Sequence, residues 1–133
     1  MKWIELWAIA GSSATLLASL APLPVAAQSI VPAADGTGTQ VTVDGPEHTI
    51  TGGTTAADAQ NLFHRFAEFN LLTGESATFL TDPAILNVFS GVTGANPSVI
   101  DGLLQVSGSN ANLFLLNPNG ILFGPNSALN LQG

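Results

Sequence analysis

The residues able to do chemistry in this chain are few, and their spacing argues against most of what they could do. His64 and Glu68 stand four apart, which on a helix would turn both toward one metal ion. The intervening sequence HRFAE supplies no third ligand and differs from the metalloprotease pattern, so a solvated pair is the plainer reading. His48 falls in a stretch that alternates polar and apolar residues and is expected to be exposed on an edge strand. Asp101-Gly102 has no partner carboxylate at a defined spacing and reads as a turn rather than a general acid. Gly52-Gly53 matches neither a phosphate-binding nor a dinucleotide-binding loop, and Asn96-Pro97-Ser98 carries proline where a glycosylation acceptor forbids it. No catalytic residue, metal set or cofactor site is expected.

What remains is a conspicuous corner. Asn117-Pro118-Asn119-Gly120 joins the apolar run Leu113 to Leu116 to the run Ile121 to Phe123. Pro118 fixes its own φ and lacks an N–H, Asn119 tolerates the left-handed region, and Gly120 enters it without steric cost. Four consecutive apolar residues in a strand imply that both faces are covered, as in a parallel or enclosed sheet.

Composition narrows the classes further. The 133 residues allow one domain, and only Lys2 and Arg65 are basic against nine acids, for a formal charge of −7. Binding to phosphate backbones needs clustered Lys and Arg, so nucleic acid is excluded, and an anionic membrane surface is disfavoured for the same reason. Charged residues make up 8% of the chain, against roughly 25% in ordinary soluble domains. Surface polarity must come from Asn, Ser, Thr, Gln and Gly. With no cysteine, disulfides, thiolate chemistry and Cys-based zinc sites are ruled out.

Residues 1–27 read as a cleaved signal peptide. Lys2 provides a short positive start, no charge appears from Leu6 to Leu23, Pro22 and Pro24 break any helix, and Val25-Ala26-Ala27 presents small residues to a signal peptidase. Cleavage is expected between Ala27 and Gln28, after passage through the general export machinery. A retained membrane anchor is the alternative, but Gly11, Ser12, Ser13 and Ser19 dilute the uncharged run. Residues 28–39 are mostly small and polar and form an extended lead-in to a domain at 40–133.

Within that domain, Gln40 to Val43 and His48 to Thr51 alternate about an Asp44-Gly45-Pro46 turn, predicting a short hairpin or two edge strands. Thr55 followed by Asp58 predicts a cap for a short helix over Ala56 to His64, handing over to a strand near Phe66 to Leu71. Phe63, Phe66 and Phe69 would then plug the open end of the core. After a turn at Thr73-Gly74, short strands alternate with turns. Asn96-Pro97 and Asn117-Pro118 lie 21 residues apart, as do Ile100 and Ile121, while Leu104 to Gly108 is echoed by Leu129 to Gly133 at an offset of 25. Repeats of this length built from short strands and Gly/Asn turns predict a solenoid, here a parallel β-helix. A sandwich or barrel would also accommodate short strands with turns. In the β-helix, Leu129 and Leu131 face inward onto the rung below, and Asn130 and Gln132 face water without charge. Because the chain stops at Gly133 directly after a strand, the apolar cross-section there is expected to be open, so the β-helix is incomplete at its C-terminal end.

The order Asn61-Leu62-Phe63, Phe66, Phe69, Gly74, Phe79, Ile100-Asp101-Gly102-Leu103-Leu104, Asn112-Leu113-Phe114 and Asn117-Pro118-Asn119-Gly120-Ile121 resembles the filamentous haemagglutinin N-terminal domain. That domain is the secretion module of two-partner secretion exoproteins and adhesins. The similarity runs from about Gln40 to Gly133, and its specific part is the ordered combination of NLFHRFAEFN, IDGLL and NPNGI. The resemblance implies an all-β, right-handed parallel β-helix with an N-terminal cap of antiparallel strands. It also implies export through the periplasm of a Gram-negative bacterium, engagement of the POTRA domains of a dedicated outer-membrane transporter, and folding at the cell surface. Asn61, Phe63, Phe66, Asn117, Pro118, Asn119, Gly120 and Ile121 are the implied recognition or structural motif. Family members continue beyond this length, so the chain reads as the N-terminal portion of such a domain. A stand-alone secreted β-solenoid that binds a surface or a carbohydrate is the other class the residues allow.

Overall fold

The computed structural model describes residues 29–131. The leader at 1–27 and the cleavage point at Ala27 and Gln28 lie outside the described residues. Short runs rich in β-branched and aromatic residues, punctuated by Gly, Asn, Asp and Pro, can form only short strands. In chain order these are β1 (Ile30–Pro32), β2 (Thr39–Asp44), β3 (Glu47–Gly52), β4 (Thr54–Thr55), β5 (Asn61–Phe69) and β6 (Ser76–Leu80). They continue as β7 (Asn87–Val92), β8 (Ser98–Ile100), β9 (Leu103–Ser107), β10 (Asn112–Leu116), β11 (Ile121–Phe123) and β12 (Ala128–Asn130).

The strands stack rather than fold back. β5, β7 and β10 pair in parallel on one wall, β8 and β11 on a second, and β3, β6, β9 and β12 on a third. Leu71 extends the second wall downward through a parallel bridge to Ile100. The chain visits the three walls in rotation, completing about three turns of a parallel β-helix. Antiparallel strands close its N-terminal end: β1 and β4 pair with β5, and β2 pairs with β3. The all-β solenoid with an antiparallel cap is therefore as expected, and the predicted hairpin is β2–β3.

Alternation within each strand sends one set of side chains inward, where rungs superpose them. Leu62 stacks on Val88, and Ala77 on Leu104, all buried. Phe66, Phe69 and Phe79 fill the lower core; the rings of Phe66 and Phe69 meet edge to face at 5.0 Å, and Phe69 stacks on Phe79 at 6.0 Å. Burial of such rings is the main stabilising contribution available to a chain with so few charges.

Three expectations change. No helix covers Ala56 to His64: Asp58 Oδ1 accepts the Gln60 N–H at 2.9 Å, Ala59 takes φ 58°, and the chain reverses straight into β5. A left-handed residue at Ala59 cannot belong to an α-helix, and pairing Asn61 to Phe66 with Asn87 to Val92 satisfies more backbone than one helical turn would. Within β5 the aromatics then separate, with Phe66 buried and Phe63 40% exposed on the outer face. Phe69 also points inward because the pairing skips Ala67, where Val31 lies beside Glu68 and Pro32 beside Phe66, and such a bulge re-aims the side chains after it.

Second, Ile121 lies beside Ser98 and Phe123 beside Ile100, so the offset of 21 is not the structural one. Leu116 is still paired with Gly91, which leaves the upper corner, Asn117 to Gly120, two residues shorter than the corner below it. The 25-residue echo is realised, since Leu129 sits beside Leu104. Third, the run Leu113 to Leu116 does not bury both faces. Leu113 and Leu115 pack against the core, but Phe114 and Leu116 are exposed on the outside.

Replacing Phe79 by Ala should cost about 3–5 kcal/mol in urea denaturation, as for a large buried aromatic. The same change at Phe63, which keeps only one stacking partner, should cost about 1 kcal/mol.

Candidate functional site

The corner after β10 is built by two asparagines and held in place by the rung beneath. Asn117 Oδ1 accepts the Asn119 N–H at 2.9 Å, and the Gly120 N–H donates to the Asn117 carbonyl at 3.0 Å. Pro118 occupies the second position, where its fixed φ suits a β-turn, and Gly120 alone of the four has positive φ, at 107°. Asn119 therefore does not use the left-handed region expected of it. The amide of Asn117 donates downward to the Asn96 carbonyl and to Ser98 Oγ, each at 3.0 Å, and Asn119 Nδ2 donates to the Gly94 carbonyl at 2.8 Å. Both side-chain amides of the motif thus serve to close the turn and to anchor it. Ile121 is half-buried and packs against the core.

The outer face of the first wall carries two ladders. Asn112 Nδ2 donates to Asn87 Oδ1 at 3.1 Å, Asn87 Nδ2 donates to Asn61 Oδ1 at 2.9 Å, and Asn61 Nδ2 donates to Asp58 Oδ2 at 3.3 Å. A carboxylate at the base suits a chain of amides that all donate downward. Two residues along, Phe63, Phe89 and Phe114 stack with centroids 5.2 and 4.9 Å apart. Phe63 and Phe89, with Leu116 and Pro118, line a shallow groove of about 300 Å³ that Arg65 and Gly91 complete. Of the motif residues, Asn61, Phe63 and Pro118 thus share one outward wall. Phe66 is separated from them in the core.

The titratable groups serve the scaffold. His48 and His64 were expected in water, yet both are buried. Strand parity decides this: in β3 and β5 they occupy inward positions, alongside Ile50 and Leu62. His48 Nδ1 lies 3.2 Å from the Ser76 carbonyl, with its Nε2 3.9 Å from Glu75. His64 Nδ1 meets Thr39 Oγ1 at 3.1 Å, while Thr39 Oγ1 accepts the Arg65 N–H at 3.0 Å. His64 Nε2 and the hydroxyl of Ser90, its register partner, are buried with no hydrogen bond. Burial pushes the His64 pKa down to about 4.

Asp101, read from sequence as a turn residue, ties three rungs together. It accepts from Thr73 Oγ1 below at 2.5 Å, and from the backbone N–H of Asn126 at 2.8 Å and its Nδ2 at 3.2 Å above. The Thr73 hydrogen bond, followed by those from Asn126, holds its carboxyl below the ordinary value. Among the described residues no group of three or more His, Asp or Glu converges as a metal site.

Residues 27–133 match the family model of the TPS secretion domain. The chain belongs to that family. No curated protein matches it. The TPS secretion domain is a non-catalytic secretion module, and its members are secreted exoproteins of Gram-negative bacteria recognised by a two-partner secretion transporter. The resemblance carried by NLFHRFAEFN, IDGLL and NPNGI is thereby established at the level of the family. In this TPS domain the three motifs occupy different places: the first forms the lowest parallel strand of the first wall, the second contains the Asp101 tie, and the third is the anchored corner. The tie through Asp101 and the Asn61–Asn87–Asn112 ladder were not recognised from sequence. Only the recurrence of Asn at intervals of 26 and 25 could have signalled the ladder.

The buried imidazole gives a pH dependence of defined sign. An unfolded chain binds a proton at His64 below about 6.5, whereas the folded chain does so only below about 4. Its contribution is complete above the first value and is lost as pH falls toward the second, by about 3 kcal/mol. Asp101 and Asp35 act lower, since hydrogen bonds from Thr73 and Thr37 hold them below 3.8 and their contribution disappears as they protonate. Urea denaturation across this range should show stability falling in two stages, with the upper stage absent in His64→Leu.

Proposed function

We propose that this TPS domain addresses a secreted exoprotein to its transporter and then starts the β-helix on which the rest of that exoprotein folds. A leader ending at Ala27 delivers the chain through the general export machinery to the periplasm. There the domain, not yet folded, engages the POTRA domains of an outer-membrane transporter. Extended segments such as 61–69 and 112–116 can add to a sheet edge, with main-chain hydrogen bonds giving affinity and alternate side chains giving selectivity. Asn61, Phe63, Asn117, Pro118, Asn119 and Gly120 are presented outward in the folded state and serve recognition as well as structure. Phe66 and Ile121 contribute to recognition only before they are packed away.

Once outside the cell, the closed N-terminal end gives folding a defined start. The antiparallel cap satisfies the lower edges of β3 and β5, and each new rung then finds a preformed edge and apolar floor. Vectorial folding of this kind can draw the chain outward without ATP. The match of residues 27–133 to the TPS secretion domain carries this reading, and the antiparallel N-terminal cap supports it.

Secretion measured with and without a co-expressed two-partner transporter tests the assignment. Export should require the transporter; surface accumulation without it would instead favour the stand-alone adhesion or carbohydrate-binding class. In the same assay, Asn117→Ala combined with Asn119→Ala should reduce export at least about tenfold, with folding of the purified domain followed in parallel by circular dichroism. Normal export of this variant would end the addressing role of the corner.

A further inference from the structure

The same corner contains a chemical liability that its hydrogen bonds control. Asn119 is followed by Gly120, and an asparagine side chain next to an unhindered glycine amide can cyclise. In that reaction the Gly120 nitrogen gives up its proton and attacks Asn119 Cγ. The Cγ–Nδ2 bond breaks, ammonia leaves, and a five-membered imide remains. Water then opens either carbonyl of the imide, forming aspartate or isoaspartate, and no oxidant or reductant is needed. A Cβ added at Gly120 would meet no atom within 4 Å, so steric crowding offers no protection to the corner.

The protection is conformational. The Gly120 N–H is engaged with the Asn117 carbonyl at 3.0 Å, which withholds the nucleophile. The leaving amide of Asn119 is held by the Gly94 carbonyl at 2.8 Å and by Asn117 Oδ1 at 3.2 Å. Asn119's own N–H is bound to Asn117 Oδ1, which keeps the intervening backbone from rotating. Cyclisation requires these contacts to open together.

We propose that Asn119-Gly120 is a self-modification site that is active in the unfolded chain and switched off when the corner closes on the rung below. The product cannot rebuild the corner. Aspartate would place a carboxylate against the Gly94 carbonyl and Asn117 Oδ1, where the amide now donates, and isoaspartate would add a methylene to a corner already two residues shorter than its neighbour. A chain held unfolded too long is therefore marked at the residue that must dock the next rung.

Peptide mass spectrometry of the full chain, incubated in mildly alkaline buffer with or without urea, tests the proposal. In urea, Asn119 should convert while Asn117 does not, because Pro118 has no N–H to attack with. In native buffer, conversion at Asn119 should be at least about tenfold slower. Equal rates in the two conditions, or an Asn119 that stays intact in urea, would overturn it. Asn117→Ala, checked for folding by circular dichroism, should raise the native rate and leave the urea rate unchanged; an unchanged native rate in a folded variant would show that these contacts do not gate the reaction.

Discussion

In-register stacking of parallel strands is the constraint on which the rest of this molecule depends. Above the N-terminal cap a strand of the β-helix has no hairpin partner, so its N–H and C=O groups are satisfied by the rungs below and above. Position along the chain then becomes position in space: a residue on one wall meets its counterpart roughly one turn earlier, as Asn112 meets Asn87 and Gln105 meets Thr78. Side chains are chosen for what they do to a copy of similar type directly beneath them.

That constraint accounts for the unusual composition. Like charges repeated at one rung position would repel at close range, whereas amides can donate down a column and phenyl rings can stack. The ladder of Asn61, Asn87 and Asn112 and the column of Phe63, Phe89 and Phe114 are the two solutions on the outer wall. Where a carboxylate is used, it closes a column or ties neighbouring rungs: Asp58 terminates the amide ladder, and Asp101 binds Thr73 below and Asn126 above. Arg65 lies on the outer wall beside Asp35 at 3.7 Å, an exposed pair whose contribution to stability is small.

On the proposed reading, secretion and structure draw on overlapping residues. Family membership makes this a module recognised by a two-partner secretion transporter; the proposed recognition before folding would expose its inward and outward residues alike. Phe66 illustrates the consequence, since a residue buried in the folded domain is available to a partner only in the extended chain. The N-terminal end of the fold is closed by β1, β2 and β4, which cover the lower edges of β3 and β5.

By itself the sequence determined the class of the protein and the location of several of its turns. Charge and composition argued against a nucleic-acid partner and left no thiol, the Gly, Asn and Pro positions marked the hairpin at Asp44 to Pro46 and the corner at Asn117, and the echo of Leu104 at Leu129 revealed a true rung. These features are local or strictly periodic, so they can be read along one chain. Only the tertiary structure decided which side of the wall each residue occupies and which rung it touches. The turn at Ala59 delivers β5 with a parity that buries His64 and Phe66 and leaves Phe63 outside, and the bulge at Ala67 then turns Phe69 inward. The two-residue difference between successive corners moved Ile100 from Ile121 to Phe123. In a strand a shift of one residue exchanges inside for outside, and that shift is set by hydrogen bonds to a neighbour about 25 residues away.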